Sequence, residues 1–370
     1  MSFAAAVAEA AVWNYEDSVQ LPAGTFASDD VLVNVGDLTI FGAGAGQTIL
    51  VANLSGSAAR VLQTGEASNP TQQILIRDLT IQGGSPVDLF RLNGGGILNA
   101  ADLTLLRVSV QDNWGANGGG IYNLASGQLT ITDSAIIRNT ASWIAGLNLR
   151  GTGGGLANFG DGAVTLLNVT LSGNSAVQAG GGLVHNGTGL LTLQQVTVAS
   201  NRTTDGYGGG IVNGSTGSLA LINTIVGNNS ATSSDPDCSG VVLVTRNRSL
   251  IENNSTNCLP SSTVLIGDPL LARLADNGGP TLTHALQGSS SAIDAGGAAC
   301  PAADQRGYLR VGDCDLGAYE VSATPTAIGL QAMGVVREPA GLLSAGLMIL
   351  LLALATALTP VWGRRVEQRK

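Results

Sequence analysis

Between residues 100 and 230 the apolar and polar positions follow one pattern, apolar-x-apolar-x-x-apolar-x-apolar-x-x-Asn. Leu103, Leu105, Val108, Val110 and Asn113 fit it. So do Val164, Leu166, Val169, Leu171 and Asn174, and again Leu191, Leu193, Val196, Val198 and Asn201. Two copies put a small polar residue in the third apolar place: Leu129, Ile131, Ser134, Ile136, Asn139, and Leu219, Leu221, Thr224, Val226, Asn229. Alternation with period two predicts strands with one face inward, whereas a helix would space its apolar residues three and four apart. The two-residue skip in the middle, at Leu106-Arg107, Leu167-Asn168 and Gln194-Gln195, predicts a corner between two short strands.

A second motif, three glycines followed by Ile or Leu and then Asn, alternates with the first. Its copies start at Gly94, Gly118, Gly153, Gly180 and Gly208 and end on Asn99, Asn123, Asn158, Asn186 and Asn213. The fourth copy carries one more residue, His185, before its Asn186. Recurrence every 20 to 50 residues marks a solenoid. Stacked rungs of short strands make a parallel β-helix, each backbone bonding to the rung above and below at roughly 4.8 Å. Buried asparagines at fixed places suit such a stack, because each amide can bond to its counterpart in the next rung. The expected ladder residues are therefore Asn99, Asn123, Asn158, Asn186 and Asn213, with Asn113, Asn139, Asn174, Asn201 and Asn229. Val33, Val35, Leu38 and Ile40, and then Ile74, Ile76, Leu79 and Ile81, show the same spacing. They predict seven rungs before residue 230.

Composition narrows the function. Of 370 residues 44% are hydrophobic, only 4% aromatic and 12% charged, and 52 are glycine. The only lysine is Lys370, and a net charge of −9 argues against nucleic acid, which needs a basic face. The four cysteines, Cys238, Cys258, Cys300 and Cys314, lie beyond the regular rungs and permit three connectivities. Pairing in sequence order closes two short loops, each contributing roughly 3 kcal/mol by loop entropy. Sequons such as Asn168-Val169-Thr170 arise wherever ladder Asn and strand Thr are this frequent.

Candidate chemistry is sparse. Asp29-Asp30 and Asp235-Pro236-Asp237 read as loop residues, and His185 as an exposed filler. Arg107, Asp133 and Arg138 read as isolated charges that do not recur in register. Asp294, Asp304, Arg306, Asp313, Asp315 and Glu320 are the densest charged group and read as an ion-paired end cap. No catalytic residue is assigned. A Ca²⁺ site among these carboxylates is the one cofactor left open.

Specific stretches carry a family resemblance. Asp37-Leu38-Thr39-Ile40-Phe41-Gly42-Ala43-Gly44, the Gly-Gly-Gly-Ile copies and the Leu-Thr-Leu rungs resemble bacterial right-handed parallel β-helix surface proteins with polymorphic-membrane-protein-like repeats. Asp276-Asn277-Gly278-Gly279-Pro280-Thr281, Ala292-Ile293-Asp294-Ala295-Gly296, Asp304-Gln305-Arg306-Gly307 and Cys314-Asp315-Leu316-Gly317-Ala318-Tyr319-Glu320 resemble the choice-of-anchor Q domain. The resemblance spans roughly residues 3–320. It implies an all-β, right-handed parallel β-helix in an exported, envelope-attached protein with no established catalytic residues.

The expected organisation is an N-terminal cap (1–30), β-helix rungs (31–275), a C-terminal cap (276–320), a linker (321–339), a transmembrane helix (340–362) and a basic cytoplasmic tail (363–370). Ala340 to Trp362 is apolar on all sides and long enough to cross a bilayer. Arg364, Arg365, Arg369 and Lys370 follow it, so the positive-inside rule places the tail in the cytoplasm and the β-helix outside. Residues 1–30 lack a basic, apolar leader, and an upstream export signal is expected. The partners expected are the lipid bilayer through 340–362 and an extracellular glycan or protein. The leading functional expectation is a non-catalytic surface protein serving adhesion, glycan contact or envelope structure. Its rival is a polysaccharide lyase or glycoside hydrolase of the same fold.

Overall fold

A computed structural model describes residues 2–10, 17–34, 37–52, 59–66, 72–87, 92–124, 127–143, 151–214, 217–240, 248–254, 264–297, 300–321 and 324–325. The chain is all-β, with long stacks of parallel strands forming a β-solenoid. Period-two alternation works as expected. In the first sheet Leu38, Ile74, Leu103, Leu129, Val164, Leu191 and Leu219 pair in register from rung to rung and all point into the core. The alternate residues Thr39, Thr104, Thr130, Thr165 and Thr192 face outward on the same strands. Beyond a corner the same 15-stranded sheet continues as a second face, the second sheet, which runs from Gly24–Ala27 through Thr80–Gln82 to Val264–Ile266. A third runs from Val31–Val33 through Leu156–Asn158 to Cys238–Gly240. Trp114–Gly115, Thr140–Ala141, Ser175–Ala176 and Arg202–Thr203 form a short fourth strip.

The corner between the first and second sheets is made by one residue per rung. Asp78, Arg107, Asp133, Asn168, Gln195 and Asn223 all have φ between 48° and 59°. This left-handed conformation is open mostly to Asn, Asp and Gly, and a single such residue turns the chain without ending the pairing. Arg107 and Asp133 are thus stacked in one column, contrary to the expectation of isolated charges. Arg107 Nε donates to Asp78 Oδ1 at 2.6 Å, and Asn168 Nδ2 donates to Asp133 Oδ1 at 3.1 Å. Arg138 pairs with Asp112 at the next corner. The skip in the motif already aligns these corner positions; what it did not show is that charges there pair from rung to rung.

The first rung also differs from its expected register. Val33 lies in the third sheet, while Leu38 and Ile40 pair with Ile74 and Ile76 in the first. A turn over residues 42–47 then separates them from Leu50, which pairs with Ile81. Val35 lies outside the described residues. The helix Phe3–Ala10 buries Phe3 and Val7 in the main core beside the first strand, Asp17–Gln20.

One amide column follows the second sheet. In it Asn113, Asn139, Asn174, Asn201 and Asn229 each donate from Nδ2 to the Oδ1 of the next member, at 2.9 to 3.0 Å as far as Asn229. Each Nδ2 also reaches a backbone carbonyl, from Ile81 at the first rung to Val198 at the last. Each Oδ1 also accepts the backbone N–H of the preceding member, and at the top Asn113 Oδ1 accepts the Gly84 N–H. The column ends on Asp237, whose Oδ1 accepts from Asn229 Nδ2 at 2.9 Å and whose Oδ2 accepts the Asn253 N–H at 2.7 Å. A carboxylate fits there because no further rung needs a donor. Asp237 lies in the bend before the strand Cys238–Gly240, as a loop residue, but it is buried and ends the ladder. Glycine and asparagine motifs meet at this column: a Cβ on Gly155 would sit 2.6 Å from the Gly182 carbonyl and 3.0 Å from Asn174 Nδ2.

The segment expected as a C-terminal cap does not sit on the end of the stack. It lies along the flank of the second sheet. Thr170 Oγ1 donates to Gln305 Oε1 at 2.7 Å, Ser172 Oγ bonds His284 Nε2 at 2.8 Å, and the Ala318 N–H donates to Thr197 Oγ1 at 3.0 Å. Ile225 and Leu250 join Leu286, Ala292, Ala295 and Leu316 in a separate apolar cluster. Cys300 and Cys314 are disulfide-bonded within this segment. Cys238 is also disulfide-bonded, and Cys258 lies outside the described residues. Among the described residues no helix is long and apolar enough to cross a membrane, and 340–362 lies outside them.

Candidate functional site

The charged group Asp304, Arg306, Asp315 and Glu320 is buried inside the flanking segment. Asp304 accepts from the backbone N–H groups of Arg306, Tyr308 and Glu320 and pairs with the Arg306 guanidinium at 2.7 Å. Asp315 accepts from the N–H groups of Asp294 and Val321. Glu320 accepts from those of Val311 and Asp315 and pairs with Arg310 at 2.9 Å. Arg306 lies 3.8 Å from the Tyr319 ring centroid. These carboxylates hold turns in place, and each of their oxygens already accepts at least one hydrogen bond. Asp294 and Asp313 are exposed at a cleft of about 730 Å³ beside the disulfide and Arg248. Asp30 pairs with the buried Arg60 at 2.7 Å. Among the described residues no group of three or more His, Cys, Asp or Glu is placed to hold a metal ion.

A second column of buried polar side chains runs along the third sheet. Thr64 Oγ1 donates to Asn99 Oδ1, Asn99 Nδ2 to Asn123 Oδ1, and Asn123 Nδ2 to Asn158 Oδ1, at 2.7 to 2.9 Å. The next place belongs to His185 and not to Asn186. His185 pairs in register with Asn158 and Asn213 and is fully buried, so it is neither an insertion nor an exposed filler. The direction of the column fixes its tautomer: Asn158 Oδ1 is taken by Asn123, so Asn158 Nδ2 donates to His185 Nδ1 at 2.8 Å, and His185 Nε2–H donates to the Gly189 carbonyl at 3.0 Å. Burial lowers the His185 pKa below its ordinary value. Asn213 Nδ2 donates to the Gly217 carbonyl.

Asn186 is displaced to the surface by this arrangement, and there it lines a cleft of about 360 Å³ outside the third sheet. The floor is Ala179, Val184 and Val212, part of a small apolar cluster that includes Ala157 and is flanked by Tyr122 and Phe159. The Tyr122 and Phe159 rings stack at 5.4 Å, and burial raises the Tyr122 pKa. One wall is a row of single parallel bridges, Thr152 to Ala179 to Tyr207. Gln178 lies beside it, its carbonyl accepting the Tyr207 N–H at 3.0 Å. Trp143 is exposed, residues 144–150 lie outside the described residues, and the Gly151 carbonyl accepts the Gln178 N–H at 2.9 Å. Among the described residues, none that lines this cleft carries a charge. The only sequence signal for it was the extra residue in the fourth glycine copy.

A third cleft, of about 390 Å³, opens on the outer face of the first sheet. Asp17, Asp37 and Asp102 line it with Thr39, Thr104 and Gln73. Asp37 Oδ1 accepts the Gln73 N–H, and Gln73 pairs in register with Asp102. Carboxylates therefore do recur across rungs here, which the sequence pattern did not reveal.

Burial pushes the Asp133 and Asp237 carboxyls up to about 6. Each binds its proton more tightly folded than unfolded, so their contribution to stability is full below about pH 4 and lost as pH rises through about 6. His185 and His284 act in the opposite sense, their pKa values being lowered by burial. A difference measurement isolates the carboxylate. Asp133→Asn should lose stability relative to wild type as pH falls from about 7 to about 4, by on the order of 1–2 kcal/mol. Parallel melting-temperature curves for the two proteins across that range would refute the assignment.

No known family model matches the chain, and no curated protein matches it.

Proposed function

We propose that this is a non-catalytic, cell-surface β-helix that contacts glycans, in keeping with the adhesion or envelope role implied by the resemblance to right-handed β-helix surface proteins with a choice-of-anchor Q domain. The observation that carries this reading is the uncharged cleft on the third sheet, with its apolar floor and rim of amide, hydroxyl and aromatic side chains. Such a lining suits an amphipathic, hydroxyl-rich ligand. The charged cluster that could have served catalysis is consumed by internal hydrogen bonds. The disulfide fits an oxidising, extracytoplasmic compartment. The apolar 340–362 segment and its basic flank supply the anchor in this reading.

The row of carboxylates at Asp17, Asp37 and Asp102 favours a second reading, a polysaccharide-degrading enzyme acting at the first sheet. Cleaving a glycan needs paired carboxylates in acid and base roles. One experiment separates the two. The full chain, fused to an export signal and a C-terminal tag, is displayed on cells and treated with protease. Release of the β-helix with a protected tag is expected, and a product soluble without detergent that retains its C-terminus refutes the anchor. The same cells should bind glycans on an array without releasing reducing or unsaturated ends from pectin, pectate or alginate. Release that disappears in Asp37→Asn or Asp102→Asn would establish the enzyme instead.

A further inference from the structure

We infer that the cleft on the third sheet is a binding site for a neutral pyranoside, with the Tyr207 ring as its apolar platform and the Asn186 amide as its hydroxyl-reading group. The inference rests on the glycan-contact reading above and adds the ligand class and the residues. A pyranose has an apolar C–H face and a polar hydroxyl edge, and the cleft offers a partner for each. Val184 and Val212 are 1% and 5% exposed, so they back the cleft with apolar packing and leave the open apolar surface to Tyr207. Tyr207 is 38% exposed, a large ring left open beside that floor. Aromatic side chains give much contact area with little rotamer freedom to lose.

The position of Asn186 is specific. The residue after the ladder place is Ala100, Leu124, Phe159, Asn186 and then Gly214 in successive rungs. Only one of these is an amide, and the rung after it is a glycine. A Cβ on Gly214 would collide with the Asn186 amide oxygen, so this glycine makes the room in which the amide lies. Thr152, whose hydroxyl donates to Asn117 Oδ1 at 2.9 Å and keeps its acceptor lone pairs, and Gln178, with a second amide, complete the polar lining.

The same lining argues against charged ligands. A uronate or phosphate entering the cleft would be desolvated with no Arg, Lys or His among the described residues that line it. The wall from Thr152 to Tyr207 spans two rung steps, roughly 9.6 Å, which accommodates a disaccharide along the solenoid axis.

The test uses the full chain in mild detergent, titrated by calorimetry with cellobiose, maltose, lactose and digalacturonate. At least one neutral disaccharide should bind saturably, and digalacturonate should not. Tyr207→Ala should weaken that binding at least about tenfold, equivalent to roughly 1.4 kcal/mol, while Tyr207→Phe keeps it. Asn186→Ala should weaken it several-fold. Melting curves for each variant guard against loss of fold, and Tyr207→Phe preserves the ring if Tyr207→Ala does not fold. No saturable binding of any neutral disaccharide overturns the site. So does binding that survives in the Tyr207→Ala/Asn186→Ala double variant, although glycan contact elsewhere on the surface would then stand. Turnover of a bound sugar would sink the non-catalytic reading and leave the site in place.

Discussion

Leu193→Asp should leave no cooperatively folded protein. Leu193 is fully buried and sits in register between Leu166 in the rung before and Leu221 in the rung after. Its neighbours in the tube are apolar on every rung of the first sheet, so a carboxylate there has no partner and no water. Burying an unpaired charge costs several kcal/mol, comparable with the whole stability of a domain. In a solenoid the damage also spreads, because each rung is stabilised by its neighbours. Thr192→Asp is the control. Thr192 belongs to the outward-facing set on the same strand and should accept the change with a shift within about 0.5 kcal/mol. Circular dichroism and thermal melts of the two variants check the pair. A soluble, cooperatively melting Leu193→Asp protein would show that the inward register is wrong.

The parallel stack was legible because burial imposes a strict period of two, and the corner imposes its skip at one fixed place. Both are local properties of consecutive residues. What local pattern could not carry is which outward side chains stay outward. Thr165 and Thr170 stand on the same strand and look alike in sequence, yet Thr170 is sealed under Gln305 while Thr165 faces out. The flanking segment decides this, and its direction of docking depends on contacts more than a hundred residues apart in sequence. Its dense charges resembled an end cap because buried turn-holding carboxylates and exposed capping carboxylates have the same composition. The fourth glycine copy misled for a different reason. Counting residues to the next Asn assumes that only Asn can fill the ladder. The column needs an acceptor aimed at Asn158, and a neutral imidazole provides one. The uncharged cleft follows from that substitution and from loop geometry, neither of which has a sequence period. The anchor segment, 340–362, lies outside the described residues and stands on its composition alone.

The polarity of the first amide column gives the second large effect. Asn174→Ala removes a side chain that makes four hydrogen bonds. Its Oδ1 accepts from Asn139 Nδ2 and the Asn139 N–H, and its Nδ2 donates to Asn201 Oδ1 and the Ile136 carbonyl. All four partners are buried, and each loses one bond. The expected cost is at least roughly 1–3 kcal/mol, read as a lower melting temperature. Asn174→Asp should be worse at neutral pH, although it is isosteric. It keeps the acceptor for Asn139 but turns a carboxylate oxygen toward Asn201 Oδ1 and the Ile136 carbonyl, two acceptors. Protonation supplies one donor in place of that repulsion, so the carboxyl pKa is raised in the folded state. Stability of this variant should therefore recover as pH falls from about 7 toward about 4, whereas Asn174→Ala should show no such recovery beyond wild type. Asp237 shows why the natural column tolerates a carboxylate only at its end, where the Asn253 N–H faces the second oxygen. If Asn174→Asp melts with wild-type stability at neutral pH, the donor direction assigned to the ladder is reversed or the column does not carry the load described.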